Sequence, residues 1–340
     1  QLNLGLDANF IKNRICLSVD LYNRVTDDLF YNVPLSPSIG FSQVLRNIGS
    51  LSNKGVELSL TTENITTRDF NWTTNFNIAH NKNKIRSLNQ DEFVTGYRIY
   101  KVGQSTTEFY IAEYAGVNPE NGKSRWYIDE VDETSGEKTG KRVTTENFNE
   151  TSYKSVRLAD GSYKVFRDLG RKPAGNFTPK VTGGFLNSFR IKNVDFSFLF
   201  NYSLGSKVLM MDYAALTSSA GGVFHKDMLN RWQQPGDVTS IPKLTTYKTG
   251  NYTGSSSYIS TFYLRKGDYL KLKNVTLGYT LPANTTNAFH ISSTRVYMQA
   301  DNVFYLSHER GFDPEQVSMG LVNTIYPALA TYSVGIKLEF

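Results

Sequence analysis

The chain has 340 residues, a formal net charge of +6 and 39% hydrophobic residues, and it contains no run of about 18 apolar residues that would form a transmembrane helix. A helical membrane protein is therefore excluded, whereas a β-barrel is not, because barrel strands need only alternate residues to be apolar. Aromatic residues make up 13% of the chain, and the Asn, Ser, Thr and Gly between them favour strands and turns, so the predicted class is all-β.

The positive charge does not indicate a nucleic-acid partner. Lys and Arg are spread singly, without a basic run or a basic helix, and we interpret them as ordinary surface and lumen charge. The single cysteine, Cys16, lies in the polar row of a predicted strand and is interpreted as a bystander. The chain begins at Gln1 without a signal-peptide pattern, and we expect it to be a fragment or part of a longer protein.

Alternation of apolar and polar residues marks the strands of the first half of the chain. A hairpin is predicted over residues 2–21, with its turn at Lys12-Asn13. Further strands are predicted at 56–60, 72–78, 108–117 and 124–129, the last two joined by a short turn at 118–122. The intervening stretches 25–50 and 87–103 have no sustained period and are predicted to be loops.

In the second half, residues 131–179 are predicted to form a large loop with a local hairpin around 156–166. Residues 205–267 are the longest stretch without alternation, and a short helix is predicted within 223–232. Strands are predicted at 181–191, 194–204, 269–281, 294–302 and 331–340, and the segment 303–327 is predicted to be a loop. The strand 269–281 changes phase midway, which a β-bulge near Lys273-Asn274 would explain.

The last strand has the cleanest pattern. One side carries Tyr332, Val334, Ile336, Leu338 and Phe340, and the other carries polar residues and a glycine. This pattern is typical of the closing strand of an outer-membrane barrel, with one row on lipid and one on a wet lumen. A half-buried terminal strand of a soluble sandwich would have the same pattern, so this stretch alone does not distinguish a membrane barrel from a soluble sandwich.

The connections decide between these alternatives. Short and long connections alternate along about eleven predicted strands, as in outer-membrane barrels, whose periplasmic turns are short and extracellular loops long. The predicted fold is therefore an antiparallel transmembrane β-barrel. Aromatic residues at the ends of its apolar rows would form the interfacial girdles: Phe10, Trp72, Tyr279 and Phe340 on the periplasmic side, Tyr202 and Tyr332 on the outer side.

No constellation of residues indicates an enzyme or a cofactor. The four histidines are dispersed, without the spacing of a zinc site, and no nucleophile-elbow or phosphate-binding motif is present. Asp129, Glu130, Asp132 and Glu133 could hold calcium, but they lack EF-hand spacing and are interpreted as a solvated acidic loop.

Aromatic residues of the long segments are the candidate binding residues. Exposed rings there would stack on sugar rings or on peptide side chains, or else pack the loops against each other, and the sequence leaves both open. They are Trp126, Tyr127, Tyr213, Trp232, Tyr247, Tyr252 and Tyr258.

Several segments together resemble the C-terminal part of the SusC/RagA family of TonB-dependent outer-membrane transporters. They are 47–58 (NIGSLSNKGVEL), 230–232 (NRW), 264–279 (LRKGDYLKLKNVTLGY), 311–315 (GFDPE) and 326–327 (YP) ahead of the terminal Phe340. Each is weak alone, but their order and spacing cover nearly the whole chain. Ala330 departs from the pattern, which usually has a basic residue there.

The resemblance implies a plugged barrel of about 22 strands, of which this chain would supply the C-terminal half. It implies active import of glycans, oligosaccharides or peptides with energy delivered through TonB, and a SusD-like surface lipoprotein as partner in an oligomeric assembly. The plug and the TonB box are not in these residues. A passive porin or adhesin barrel, and a soluble all-β carbohydrate-binding domain, are the alternatives.

Overall fold

The computed structural model describes residues 1–35, 38, 40, 43–47, 49–89, 91–217, 223–244, 259–286, 291–309, 311–323 and 326–340. Strands are numbered along the chain, and nine of them form one continuous antiparallel sheet. In the order of the sheet these are β1 (Leu2–Phe10), β2 (Ile15–Thr26), β5 (Gly49–Thr66), β6 (Phe70–Leu88), β15 (Val181–Ile191), β16 (Val194–Leu204), β19 (Tyr269–Thr280), β20 (Ser293–Ser307) and β22 (Thr331–Glu339).

The register of this sheet separates two faces, as period-two alternation requires. Val334 of β22 lies opposite Met298 of β20, and Leu58 of β5 lies opposite Ile78 of β6, so the apolar rows of neighbouring strands coincide. We call the side with these rows the apolar face and the opposite side the polar face. The apolar face is open to the outside: Ile336 is 66% and Phe340 87% exposed at the C-terminal edge, and Leu58 and Ile78 on the interior strands are half-buried.

The connections alternate in length around the sheet. Residues 11–14, 67–69, 192–193 and 281–292 link strands at one end, which we call the hairpin end. Residues 27–48, 89–180, 205–268 and 308–330 link strands at the other, the loop end. The tight turns place Lys12, Asn13 and Lys192 at positive φ, which β-hairpin turns of this length require.

Four smaller sheets belong to these long connections. The six-stranded one contains β7 (Glu92–Thr95), β8 (Arg98–Lys101), β9 (Glu108–Val117), β10 (Ser124–Val131), β11 (Lys138–Thr145) and β14 (Arg171–Asn176). The others are the hairpins β3 (Phe30–Pro34) with β4 (Gln43–Asn47) and β12 (Tyr153–Arg157) with β13 (Tyr163–Arg167), and a sheet of β17 (Lys207–Met210), β18 (Leu264–Lys266) and β21 (Leu321–Val322).

Helix is sparse. The α-helices are α1 (Met211–Leu216) and α2 (Ala283–Thr286), and 3-10 turns span Phe148–Thr151, Lys226–Asn230, Thr261–Tyr263 and Pro314–Gln316. Within the described ranges, no helix is long and apolar enough to cross a membrane.

The buried cores also belong to the loop end. Phe109 and Ile111 of β9 pack with Leu209 of β17, Ile259 and Tyr263. Similar clusters join β6 to the β7–β8 hairpin and β10 to the β12–β13 hairpin. The long connections therefore fold into a packed structure of their own at one end of the nine-stranded sheet.

Most predicted elements are confirmed, including the hairpin over 156–166, a short helical turn within 223–232 and the irregularity at Lys273-Asn274, where the β19–β20 register shifts between Leu272 and Asn274. The placement of 108–117 and 124–129 in the barrel wall is wrong. Both strands exist, but β9 pairs with β8, β10 and β14. The large sheet therefore has nine strands, in place of about eleven.

Candidate functional site

The polar face of the large sheet carries ordered charge pairs and flat patches. Asp195 of β16 and Arg295 of β20 form a two-pronged ion pair across Gly278 of β19. A Cβ at Gly278 would lie 2.5 Å from both partners, so glycine is needed for the pair to cross the strand. Arg295 also lies over the ring of Tyr297, 5.0 Å from its centroid. This face suits water and polar solutes.

A buried charge cluster joins this face to the last long loop. Lys271 of β19 is 1% exposed, and its Nζ donates to Asp313 Oδ2 at 2.9 Å and lies 2.8 Å from Glu315 Oε2. Lys273 Nζ reaches the same Glu315 oxygen at 2.8 Å. The backbone N–H of Ala328 donates to Asp313 Oδ2 at 3.2 Å. We call these four charged side chains the loop clasp, because they hold residues 313–315 of the last long loop against the sheet.

The electrostatics of the loop clasp follow from this geometry. Burial works to raise the pKa of Asp313, but hydrogen bonds from Lys271, Glu315 N–H and Ala328 N–H outweigh it and hold that pKa below its ordinary value. The pKa of Glu315 is lowered in the same way, against its burial, by Lys271 and Lys273. Both carboxyl groups are therefore anionic at neutral pH.

A polar pocket of about 210 Å³ lies among the loops. Tyr213 of α1 donates its hydroxyl to Asp227 Oδ2 at 3.0 Å, and His225 Nδ1 accepts from the Asp227 N–H at 3.2 Å. Arg265 of β18 pairs with Glu309 at 3.3 Å and lies over the Tyr213 ring. The pKa of Tyr213 is raised, mainly by burial and secondly by the hydrogen bond with Asp227. The pocket offers an aromatic ring together with charges of both signs.

The structure separates the predicted aromatic site residues. Tyr213 lines this pocket. Tyr127 is 38% exposed, with Arg142 5.8 Å above its ring. Trp232 donates Nε1–H to the Pro119 carbonyl at 2.8 Å and holds two loops together.

Trp126 is only 3% exposed, between Tyr114 and Phe148, so of the two alternatives that the sequence leaves open this ring takes the packing role: β10 turns Trp126 inward and Tyr127 outward. Tyr247, Tyr252 and Tyr258 lie outside the described residues.

Carboxylates of the acidic loop already have ion-pair or hydrogen-bond partners within the protein. Asp129 pairs with Lys138 at 2.8 Å, Glu130 accepts from Thr139 at 2.7 Å, and Asp132 accepts from the Thr134 N–H at 2.7 Å. No group of three or more potential metal ligands occurs among the residues that the structure describes.

Sequence reasoning missed the loop clasp and the charged residues of the pocket. His225, Asp227, Arg265 and Glu309 come from segments far apart in the chain, so spacing could not group them. The loop clasp could have been predicted. Lys271 and Lys273 lie in the polar row of β19 and need negative partners, and the segment 311–315 supplies two carboxylates.

An extended antiparallel sheet with one exposed apolar face, one polar face, short turns at one end and packed loops at the other is the wall of a transmembrane β-barrel. No family model matches the chain. It is 29% identical to the TonB-dependent receptor P39 of Formosa agariphila, covering 100% of this chain and 35% of that protein. It is 29% identical to the TonB-dependent receptor SusC of Bacteroides thetaiotaomicron, covering 99% and 31% respectively.

Solved structures agree with the sequence relatives. The chain superposes on a chain of the RagAB peptide transporter with a TM-score of 0.82 and 29% identity, covering 99% of this chain and 35% of that one. Along nearly its whole length the chain is therefore similar to TonB-dependent receptors such as SusC and to the RagAB transporter, which are outer-membrane β-barrels of Gram-negative bacteria. It spans about a third of the length of the curated relatives that it matches.

Proposed function

We propose that this chain forms part of an outer-membrane importer that takes up nutrients too large for porins, either oligosaccharides or peptides. The observation that carries the proposal is the match along 99% of the chain to a structure described as a peptide transporter. The two-faced sheet supports it, since the polar face would line the path of a hydrated cargo. The strands span the membrane repeatedly, with the hairpin end in the periplasm and the loop end outside.

The remainder of the importer lies in strands and a plug beyond these residues, and the energy comes through TonB bound to that other region. A SusD-like lipoprotein covers the loop end, in an assembly of transporter and lipoprotein. Cargo contacts the loop aromatics, which are Tyr127, Tyr213 and Trp232 among the described residues and Tyr247, Tyr252 and Tyr258 outside them. The paired charges and the ring around Tyr213 suit the termini and side chains of peptides, and the ring alone suits sugars.

The test is uptake by cells that carry or lack the full-length gene. Fluorescent oligopeptides and oligosaccharides of matched mass are supplied in parallel, with and without a protonophore. Uptake of one class that requires the gene and stops when the proton gradient collapses supports the proposal and names the cargo class.

Uptake that survives the protonophore would instead support a passive porin, the second candidate. Cell fractionation tests the third candidate, a soluble binding domain, because a barrel needs detergent for extraction and migrates differently on gels after heating.

A further inference from the structure

The apolar face changes character abruptly toward the loop end of β5 and β6. Leu58 and Val56 of β5 and Ile78 of β6 continue the apolar rows. The next residue of the same parity on β6 is His80, opposite Val56, and at the following position of that parity Lys54 and Lys82 lie directly opposite each other. Lys84 and Arg86 continue the row along β6. All four side chains are exposed. We call them the basic rim cluster.

The basic rim cluster borders two adjoining grooves. One, of about 430 Å³, is lined by the whole cluster together with Asn23, Val25 and Ser52. The other, of about 330 Å³, shares Lys82 and Lys84 and adds Lys180 and His80. Glu108 is the acidic residue lining the second groove, and it is buried and accepts the Gly175 N–H at 2.9 Å. Within the described part of the chain, no ion pair neutralises the four cations.

Like charges directly opposite on neighbouring strands destabilise a sheet, so the Lys54–Lys82 pair has a cost that an anion would relieve. The height of the cluster indicates which anion. Lys82 is ten residues beyond Trp72 along β6, which at about 3.3 Å per residue and a tilt of about 45° is a rise of about 23 Å. The apolar band of an outer-membrane barrel is about 25 Å tall. The cluster therefore begins where the hydrocarbon ends.

We propose that the basic rim cluster binds the phosphate groups of a phosphorylated glycolipid in the outer leaflet. The cations lie on the side of the wall that meets lipid, directly above the apolar rows, where only membrane headgroups are adjacent. A protein that caps the loop end would approach from above instead. Clusters of Lys and Arg beside a membrane-spanning element attract anionic headgroups by about 1 kcal/mol per charge. The inference rests on the membrane-barrel class and holds whatever the cargo is.

The experiment uses the full-length receptor in detergent. The test variant combines Lys54→Gln, Lys82→Gln, Lys84→Gln and Arg86→Gln, and the control variant combines Lys12→Gln, Lys141→Gln, Arg157→Gln and Lys192→Gln, which removes the same charge from exposed sites elsewhere. Heat-modifiable migration is checked first for each protein, so that loss of the barrel is distinguished from loss of the site. Binding is then measured with bisphosphorylated lipid A, dephosphorylated lipid A and inorganic phosphate as separate probes.

We expect the folded test variant to bind bisphosphorylated lipid A at least about tenfold more weakly than the wild type, because four charges are removed, and the control variant to bind it normally. Dephosphorylated lipid and free phosphate should bind poorly to all three proteins. Equal binding by the test variant and the wild type would overturn the proposal. So would equal binding of the dephosphorylated lipid, or loss of the lipoprotein partner with lipid binding intact.

Discussion

Neighbouring residues along a strand of the large sheet face opposite environments. Ile336 lies on the apolar face opposite Val296, whereas Lys337 lies on the polar face and pairs with Glu339 at 2.5 Å. The residue pattern alone predicted these faces, because a strand has only two sides and a mixed row would bury polar groups in lipid.

Ile336→Arg should impair membrane insertion, since an arginine on the lipid side costs about 2 to 4 kcal/mol near the bilayer midplane. Lys337→Arg, one position away, should leave insertion unchanged. The measurement is the heat-modifiable fraction of the full-length receptor in outer-membrane preparations. Equal effects would mean that the faces are assigned the wrong way round.

Lys271→Met should destabilise the receptor by about 3 to 5 kcal/mol, because it leaves the carboxylate of Asp313 buried without its partner. The double variant Lys271→Met with Asp313→Leu should recover most of that loss. Lys101→Met is the matched control, since its pair with Glu92 is exposed and worth about 0 to 1 kcal/mol. Denaturant unfolding of the loop end gives all three values, and similar losses for Lys271→Met and Lys101→Met would contradict the argument.

Strands of this protein differ in how far their own sequence determines their position and pairing. Alternation located β15, β16 and β22 because one face of each is apolar and one polar. It also located β9 and β10 and the short turn that joins this pair. It did not locate the pairing of β9 with β14, residues 171–176, because a long segment lies between them in the chain. Pairing of that kind depends on tertiary packing, as does the pocket built from Tyr213, Arg265 and Glu309, so neither could be predicted from spacing.

Within β10, Trp126→Ala should lower stability by about 3 to 5 kcal/mol, the usual cost of removing a buried large aromatic ring. Tyr127→Ala should leave stability nearly unchanged and weaken cargo binding, because Tyr127 is one of the proposed cargo contacts. Thermal unfolding and cargo titration on the same preparations separate the two effects. Normal stability of Trp126→Ala would contradict the inward orientation.

Acid should release the last long loop from the sheet. The folded-state pKa values of Asp313 and Glu315 are lowered, so their contribution is complete above about pH 4, the ordinary carboxyl pKa, and is lost as pH falls through the depressed folded-state values. Protease cleavage within 311–328 should rise over that acidic range. The double variant Asp313→Asn with Glu315→Gln should be cleaved readily at neutral pH as well, with no acid step.

At the scale of the whole molecule, the nine-stranded sheet has β1 and β22 at its edges. Open sheet edges are not tolerated in the hydrocarbon core, where each unpaired N–H and C=O group has no alternative partner. We propose that further strands pair with both edges of this wall in the membrane.

Residues 1–340 expressed alone should aggregate and fail to give a heat-modifiable species in detergent, whereas the full-length receptor should give one. Gel migration before and after boiling is the measurement. A folded, heat-modifiable fragment would mean that β1 and β22 pair with each other in a smaller closed barrel, and the proposed larger barrel would be wrong.

The loop clasp constrains how such a chain changes over generations. Lys271 and Asp313 lie in a dry space, and Glu315 with the partly exposed Lys273 completes the charge balance. A single substitution at Lys271 or Asp313 therefore leaves a buried charge without its partner. Substitutions at these four positions are therefore expected to covary among related receptors. Related sequences should keep all four charges or replace all four by apolar side chains, while the rest of the surrounding loop varies.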